Sequence, residues 1–203
     1  MGMKKWIVIT GDIIESRKNA PESWLERLKE VLSDFGQEKT DWEIYRGDSF
    51  QLILSKKESM EAVLLLKSAM KSIGVDVRMA IGLGEIDYKS PKVSESNGSA
   101  FVNSGRKLES LKKETLGIQT PNEKFNQRYN VILNLLDFIM DSWQPTTAEV
   151  VFTALKYPKL NQSELAKLLQ KKSQGTISSA LKRAGFDEIK KVVELYNQEI
   201  KGI

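Results

Sequence analysis

Two aspartates, Asp12 and Asp48, each stand directly after a glycine in the first quarter of the chain. Asp12 follows an apolar run at 6–10 that is typical of a buried strand, and the strand is expected to end there. Asp48 occupies the turn of a β-hairpin predicted at 45–54, because apolar and aromatic positions flank that turn. Mg²⁺ takes few protein carboxylates and leaves its other positions to water and substrate oxygens. The two side chains therefore predict a shared magnesium site that faces a phosphate.

Both aspartates also have purely structural interpretations. An aspartate at the end of a strand is often a turn former or a helix cap, and hairpin turns favour a Gly-Asp pair. The loop predicted after Asp12 carries Arg17 and Lys18, two cations that can bind phosphate groups. A functional site requires that Asp12 and Asp48 lie together at one edge of a sheet.

The composition limits the chemistry that the chain can perform. Its 203 residues contain no cysteine and no histidine, which excludes disulfides, thiolate or imidazole metal ligands, and histidine acid/base catalysis. Any metal would therefore be bound through oxygen atoms. The sequence has neither an apolar run long enough for a membrane span nor the pattern of a signal peptide. We therefore expect a cytoplasmic protein with no membrane partner.

The net charge of +4 is unevenly distributed along the chain. Residues 156–203 contain ten Lys or Arg and five Asp or Glu, a balance of +5, which leaves 4 − 5 = −1 for residues 1–155. A polyanion such as DNA is therefore expected to bind the carboxyl-terminal part. A solvated helical surface is the alternative explanation of this charge.

The elements predicted in residues 1–120 follow the order strand, helix, hairpin, helix, strand. Amphipathic spacing predicts the two helices at 21–36 and 57–73. A third helix at 100–112 and a short last strand follow them. This order predicts an α+β domain whose antiparallel sheet carries helices on one face, as in ferredoxin-like or palm folds.

The segment 121–143 is predicted to be a connector helix that is apolar over more than one stripe. Tyr129 belongs to one stripe, and Val131, Leu135 and Phe138 form another. Two apolar stripes are typical of a helix that is buried on two sides. We therefore expect this helix to join two domains or to take part in a homodimer interface.

Residues 144–203 are predicted to form a small all-α helix-turn-helix domain. Its second helix is expected to open at Ser173, with Ile177, Ala180 and Leu181 facing the core. Small polar side chains and two cations then face outward, as contacts with base edges and phosphates require. These candidate nucleic-acid residues are Ser173, Gln174, Thr176, Ser178, Ser179, Lys182 and Arg183. A helical packing module that does not bind DNA is the alternative.

Several motifs spread along the chain match one known family. They are VITGDIIESR near the start, RGDSFQ, RMAIGLG, GSAFVNSGRKLES and the tail SQGTISSALKRAGFDEI. Over nearly its full length the chain resembles the SatD family. The resemblance implies a nucleotidyl-cyclase-like palm domain followed by a helix-turn-helix domain, and it implies more about fold than about function.

A first strand that ends in Asp, a hairpin with Gly-Asp and a later helix with Asn and Arg also occur in class III nucleotidyl cyclase domains. The chain resembles these domains more distantly. By position, the resemblance implies that Asp12 and Asp48 hold Mg²⁺, with the backbone carbonyl of Ile13 as a further ligand. It also implies that Asn103 and Arg106 approach the ribose and phosphates of a nucleotide, and that the site forms in a homodimer.

Two positions depart from the cyclase pattern. Asn103 and Arg106 are three residues apart where cyclases have a spacing of four, and Lys107 occupies the fourth position. The residue four before the hairpin aspartate, which selects the base in cyclases, is Ile44. These departures favour ligand binding over turnover.

Three functions are consistent with these observations. The favoured hypothesis is a DNA-binding regulator whose cyclase-like domain binds a nucleotide or another phosphorylated ligand with Mg²⁺. One alternative is a cyclase-like enzyme that forms a phosphodiester from a nucleoside triphosphate, with catalytic residues Asp12, Asp48, Asn103 and Arg106. The other alternative is a structural or interaction protein in which neither site is active.

Overall fold

The structure is a computed structural model that describes residues 5–18, 20–171 and 173–203. These described residues form one five-stranded sheet and eight α-helices, so the predicted α+β class is confirmed. The strands are β1 (Trp6–Ile14), β2 (Trp42–Tyr45), β3 (Ser49–Leu54), β4 (Asp76–Gly84) and β5 (Leu116–Gln119). The helices are α1 (Leu25–Ser33), α2 (Ser59–Ser72), α3 (Ser99–Ser110), α4 (Glu123–Asp141), α5 (Pro145–Lys156), α6 (Gln162–Leu168), α7 (Gln174–Arg183) and α8 (Phe186–Glu199).

The sheet has the strand order β2-β3-β1-β4-β5. The first four strands pair antiparallel, as the sequence predicts, but β5 pairs parallel to β4. The prediction of a wholly antiparallel sheet is therefore wrong at this edge. The reason is that α3 connects β4 to β5 as a crossover, and a crossover returns the chain in the same direction.

Helices cover both faces of the sheet. Ile7 and Ile9 of β1 join α1 and α2 in the main hydrophobic core. Val8, which points to the opposite face, packs instead in a smaller cluster with α3. On that second face the hydroxyl oxygens of Thr10 and Ser104 lie 2.8 Å apart. The prediction of helices on one face holds for α1 and α2 and is wrong for α3.

Strand β1 is longer than the sequence predicts. It continues to Ile14, so Asp12 lies within the strand and not at its carboxyl end. The preceding Gly11 does not break the strand. A Cβ at this position would lie 2.6 Å from the ring of Phe50. Glycine is therefore required at this position by the close approach of a neighbouring strand's side chain.

The carboxyl-terminal helices pack directly on the sheet-bearing part of the chain. One continuous hydrophobic cluster includes residues of β1, α2, α4, α5, α7 and α8. The buried hydroxyl oxygens of Ser59 in α2 and Tyr196 in α8 lie 2.8 Å apart. At the surface, Lys156 of α5 forms ion pairs with Glu30 of α1 and with Asp34, which follows α1, at 2.8 Å each. The boundaries 1–120, 121–143 and 144–203 remain predictions.

Helix α4 is buried along one stripe only. Asn122 caps it by accepting a hydrogen bond of 3.0 Å from the backbone N–H of Phe125. The second predicted apolar stripe is exposed, with Val131 and Leu135 each 61% accessible and Phe138 79%. The expectation of burial on two sides is therefore wrong within a single chain. Among the described residues, none of the helices combines the length and the apolar character that a bilayer crossing requires.

Candidate functional site

Asp12 and Asp48 line one open pocket of about 630 Å³ at one end of the sheet. The carboxyl-terminal end of β1 and the turn after it form one wall. The starts of β3 and β4 and the segment 112–115 form the others. Ile13, Arg17 and Lys18 line the same pocket. The structure therefore brings together five of the residues that the sequence singled out.

Asp12 is held by an ion pair with Arg78. The two residues face each other across β1 and β4, and the Arg78 guanidinium donates two hydrogen bonds to the two carboxylate oxygens, at 2.7 Å and 3.2 Å. Such a two-point contact fixes both side chains in one orientation. Arg78 was not identified from the sequence, because its position opposite Asp12 depends on strand register. Its only local signal is a cation just before the apolar run 79–83 of its strand.

Asp48 lies in the hairpin turn, as predicted, and is held against the end of β1. The Ser16 hydroxyl donates to one of its carboxylate oxygens at 2.5 Å, and the Ser49 hydroxyl donates to the other at 3.4 Å. The Asp48 backbone carbonyl also accepts a hydrogen bond of 3.1 Å from the backbone N–H of Ile13. The turn itself needs Gly47, whose φ of 89° is left-handed. These contacts leave the Asp48 side chain within the pocket.

The pocket carries mixed charge with a small positive excess. Its basic residues are Arg17, Lys18, Arg78, Lys112 and Lys113, and its acidic residues are Asp12, Glu15, Asp48 and Glu114. Five cations against four anions give a balance of 5 − 4 = +1. The cations come from three separate segments of the chain, so a multiply charged anion can contact several of them at once. The Lys-Lys pair after α3 was the signal that the sequence reading missed.

Tyr45, at the end of β2, is close enough to this pocket for the Asp12 carboxylate to affect the pKa of its hydroxyl. Burial raises the pKa of its hydroxyl, nearby Arg46 opposes the shift, and the Asp12 carboxylate reinforces it. The phenol is therefore neutral at physiological pH.

The oxygen atoms that line the pocket fit Mg²⁺ only in part. Carboxylate oxygens are the right ligand class, and two of them line one cavity. Across residues 5–18, 20–171 and 173–203, however, no group of three or more acidic side chains is placed to hold a metal. Asp12 is also engaged by Arg78. Mg²⁺ would therefore need oxygen atoms from a ligand and water, and it would need Asp12 released from its ion pair.

Asn103 and Arg106 do not line this pocket. The Asn103 amide donates to the backbone carbonyl of Leu83 at 2.9 Å. Leu83 lies five residues beyond Arg78 along β4, roughly 16 Å away at the rise of a strand. Arg106 is exposed on α3. In a single chain the structure therefore separates these two residues from the Asp12 and Asp48 carboxylates.

A buried ion network lies behind the pocket. The Lys67 ammonium of α2 is fully buried and lies 2.8 Å from an Asp76 carboxylate oxygen and 3.0 Å from one of Asp137. It also donates to the hydroxyl of Thr115, a residue that lines the pocket. Thr115 in turn donates to both Asp137 oxygens, through its hydroxyl at 2.5 Å and its backbone N–H at 2.9 Å. The pocket segment 112–115 is thereby tied to α4.

The candidate nucleic-acid residues form the exposed face of α7. Ser173 caps the helix by accepting a hydrogen bond from the backbone N–H of Thr176, which confirms its predicted start. Ile177, Ala180 and Leu181 are buried, as predicted. All seven polar candidates are exposed: Ser173, Gln174, Thr176, Ser178, Ser179, Lys182 and Arg183. The face is therefore free to contact a partner.

An open groove of about 1180 Å³ runs beside α7, with α2, α6 and α8 among its walls. Gln174, Ser178 and Lys182 line its α7 side, whereas Arg183 does not line it. The groove also contains four acidic side chains, Glu61, Asp187, Glu188 and Glu194. A phosphate is therefore better accommodated on the side of α7 that carries Arg183 than on the groove side.

Comparisons with known proteins identify a family and no individual relative. Neither the comparison with curated proteins nor the comparison with solved structures finds a match. The SatD family model matches residues 6–198, which include every candidate residue described above. The chain therefore belongs to the SatD family.

Proposed function

We propose that this chain is a DNA-binding regulator whose sheet-bearing part binds a nucleotide or another phosphorylated ligand together with Mg²⁺. The observation that carries the proposal is the surface of α7. Its three apolar residues are buried, while its seven small polar or basic candidates are all exposed. This division is what a recognition helix needs to enter a groove of DNA.

The fold that we propose combines a cyclase-like palm with a helix-turn-helix. Support for the palm comes from the antiparallel order β2-β3-β1-β4 with α1 and α2 on one face. Support for the helix-turn-helix comes from α6 and α7, which pack against each other and are joined by a short connection. Helix α5 packs on α7 as a third helix of the unit.

The ligand that we propose is a phosphorylated one because of the charges in the pocket. Arg17, Arg78 and Lys112 lie on three different segments, and each can contact a different phosphate oxygen. When bound, Mg²⁺ would neutralise further phosphate charge, and Asp12 and Asp48 are the residues that would hold it. The chain's own part is to position the phosphates against β1 and the hairpin turn.

DNA binding is tested with the double variant Lys182→Ala, Arg183→Ala of the full chain. We expect its affinity for a mixed-sequence duplex in low salt to fall by roughly tenfold or more, because two phosphate contacts are lost. The slope of log affinity against log salt should become shallower by about two. As a single change, Arg183→Ala should weaken binding more than Lys182→Ala, since acidic residues lie near Lys182.

The matched control removes the same charge from the neighbouring helix α8. Lys190→Ala with Lys191→Ala changes two exposed lysines, and we expect it to alter affinity far less. Equal losses in both double variants would mean that only net charge matters, and would contradict recognition by α7. Failure of the wild-type chain to bind duplex at low salt would contradict it outright.

The enzyme alternative is favoured by one observation, that Asp12 and Asp48 line the same pocket. The position of Asn103 favours binding instead, because its amide is engaged at the far end of β4. The test is incubation with each nucleoside triphosphate and Mg²⁺ or Mn²⁺, followed by mass analysis. An enzyme would release pyrophosphate and form a phosphodiester, and Asp48→Ala would abolish the product. On the regulator proposal the triphosphate is recovered unchanged.

A further inference from the structure

The most exposed apolar surface in the described part of the chain is a stripe along α4. Val131 and Leu135 are each 61% accessible and Phe138 is 79% accessible. Single exposed apolar residues are common on protein surfaces, but three in a row on one helix face are characteristic of an interaction surface. The opposite side of α4 is already occupied, because Tyr129, Leu133 and Leu136 lie in the main core.

The stripe has the spacing of a coiled-coil seam. Six exposed positions alternate in steps of four and three along the helix: Lys124, Arg128, Val131, Leu135, Phe138 and Ser142. This alternation is the heptad a/d pattern that lets one helix pack along another. Its centre is apolar and its ends are polar. A second helix with the same pattern would complete it.

The charges at the two ends of α4 favour one relative direction for a pair of such helices. Basic Lys124 and Arg128 lie at the amino-terminal end of the seam, and Asp141 lies beside its carboxyl-terminal end. In a parallel pair each Arg128 would face its own copy. In an antiparallel pair centred between Val131 and Phe138, Arg128 would face Asp141 and the negative end of the other helix. Arg128 already binds Glu199 through one guanidinium nitrogen, and Asp141 already pairs with Lys71 through one carboxylate oxygen, so each side chain keeps further atoms for a contact with the other copy.

We propose that the α4 stripe is a self-association surface at which two copies of this chain pair through antiparallel α4 helices. Val131 of one copy then packs against Phe138 of the other, and the two Leu135 side chains meet near the two-fold axis. The α7 surfaces are fixed relative to the pair, because the Trp143 indole N–H after α4 donates to the Ala184 carbonyl after α7 at 3.2 Å. Pairing through α4 requires neither DNA nor a bound ligand.

The first test is sedimentation of the full chain over a broad range of protein concentration. We expect a dimer, and we expect Leu135→Glu to raise the dimer dissociation constant by at least roughly tenfold, because it places two carboxylates near the axis. Leu135 is exposed in the single chain, so the variant should keep the circular dichroism of the wild type, and at concentrations where both are monomers it should also keep the melting temperature. The matched control is Val102→Glu on α3, at a site 40% accessible on the other side of the sheet.

The second test determines orientation, and it is possible because the chain has no cysteine of its own. Val131→Cys and Phe138→Cys are prepared separately, mixed and oxidised. We expect the mixed disulfide to form in preference to either disulfide between identical variants. Preferential pairing of Val131→Cys with itself would overturn the antiparallel arrangement. A chain that sediments as a monomer at every concentration, or a Val102→Glu variant that dissociates as readily as Leu135→Glu, would overturn the inference.

Discussion

Replacing Asp137 by alanine is expected to lower the free energy of unfolding by about 3–5 kcal/mol, because it removes one partner of a buried charge. The Lys67 ammonium is fully buried and lies between Asp137 and Asp76. Without Asp137 it keeps Asp76 but loses its second carboxylate, and Thr115 loses the acceptor of two hydrogen bonds. Chemical denaturation of the full chain, with wild type and variant compared at neutral pH, measures the loss.

Glu149→Ala is the matched control for this prediction. Glu149 lies on α5 and pairs with Lys171 at 3.0 Å, but its side chain is 42% exposed. An exposed ion pair contributes at most about 1 kcal/mol, so this variant should unfold nearly like the wild type. Equal losses at the two positions would show that the burial of Lys67 does not set the energy of the network.

The pH dependence of stability provides a second measure of Asp137. Burial alone would raise the pKa of this carboxyl, but Lys67 and Thr115 outweigh burial and hold it below its ordinary value of 3.8. The folded state therefore binds the proton less readily than the unfolded state. The stability that Asp137 contributes is present above its ordinary pKa, and it is lost as the pH falls through the lower pKa of the folded state. Asp137→Asn should therefore lose less stability than the wild type on acidification below about pH 4.

Local patterns in the sequence were enough to predict the elements that carry the site. The hairpin around Asp48 depends on a Gly-containing turn between two apolar runs, and both signals are adjacent along the chain. Likewise, the cap at Ser173 and the buried Ile177 follow from helical spacing alone. Such features form from residues a few positions apart, so no knowledge of the tertiary fold is needed.

Tertiary contacts decide the features that the sequence did not reveal. Gly11 resembles a strand terminator until the ring of Phe50 is known to lie where its Cβ would be. Arg78 becomes part of the site only through the register between β1 and β4. Helix α3 covers the second face because Gly82 lets its backbone approach the strand, an approach that a Cβ would block at 2.3 Å. Lys67, which directly follows three leucines in α2, was the available signal for its network.

Nucleotide and Mg²⁺ are expected to bind the pocket together, with each raising the affinity for the other. Asp12 and Arg78 neutralise each other in the structure. A nucleotide or a Mg²⁺ ion that binds alone must therefore break the two hydrogen bonds between them. If a phosphate accepted those bonds from Arg78, Asp12 would be freed from its ion pair, and Asp12 and Asp48 are the residues that would then hold Mg²⁺. By linkage, the two affinities must then change by the same factor. Calorimetric titration of the full chain with a nucleoside triphosphate, in excess Mg²⁺ and in EDTA, should show at least roughly tenfold tighter binding with the metal.

Variants of two arginines, one inside the pocket and one outside it, test where the phosphates bind. Arg78→Ala should weaken triphosphate binding by about 10–100-fold, because it removes hydrogen bonds to a charged group worth roughly 1.5–3 kcal/mol. Arg106→Ala, an exposed arginine outside the pocket, should leave the affinity unchanged. Asp48→Ala should keep binding in EDTA but remove the gain from Mg²⁺. If Arg106→Ala were as damaging as Arg78→Ala, phosphates would bind near α3 instead, and the Asp12–Arg78 pair would be only a structural contact between two strands.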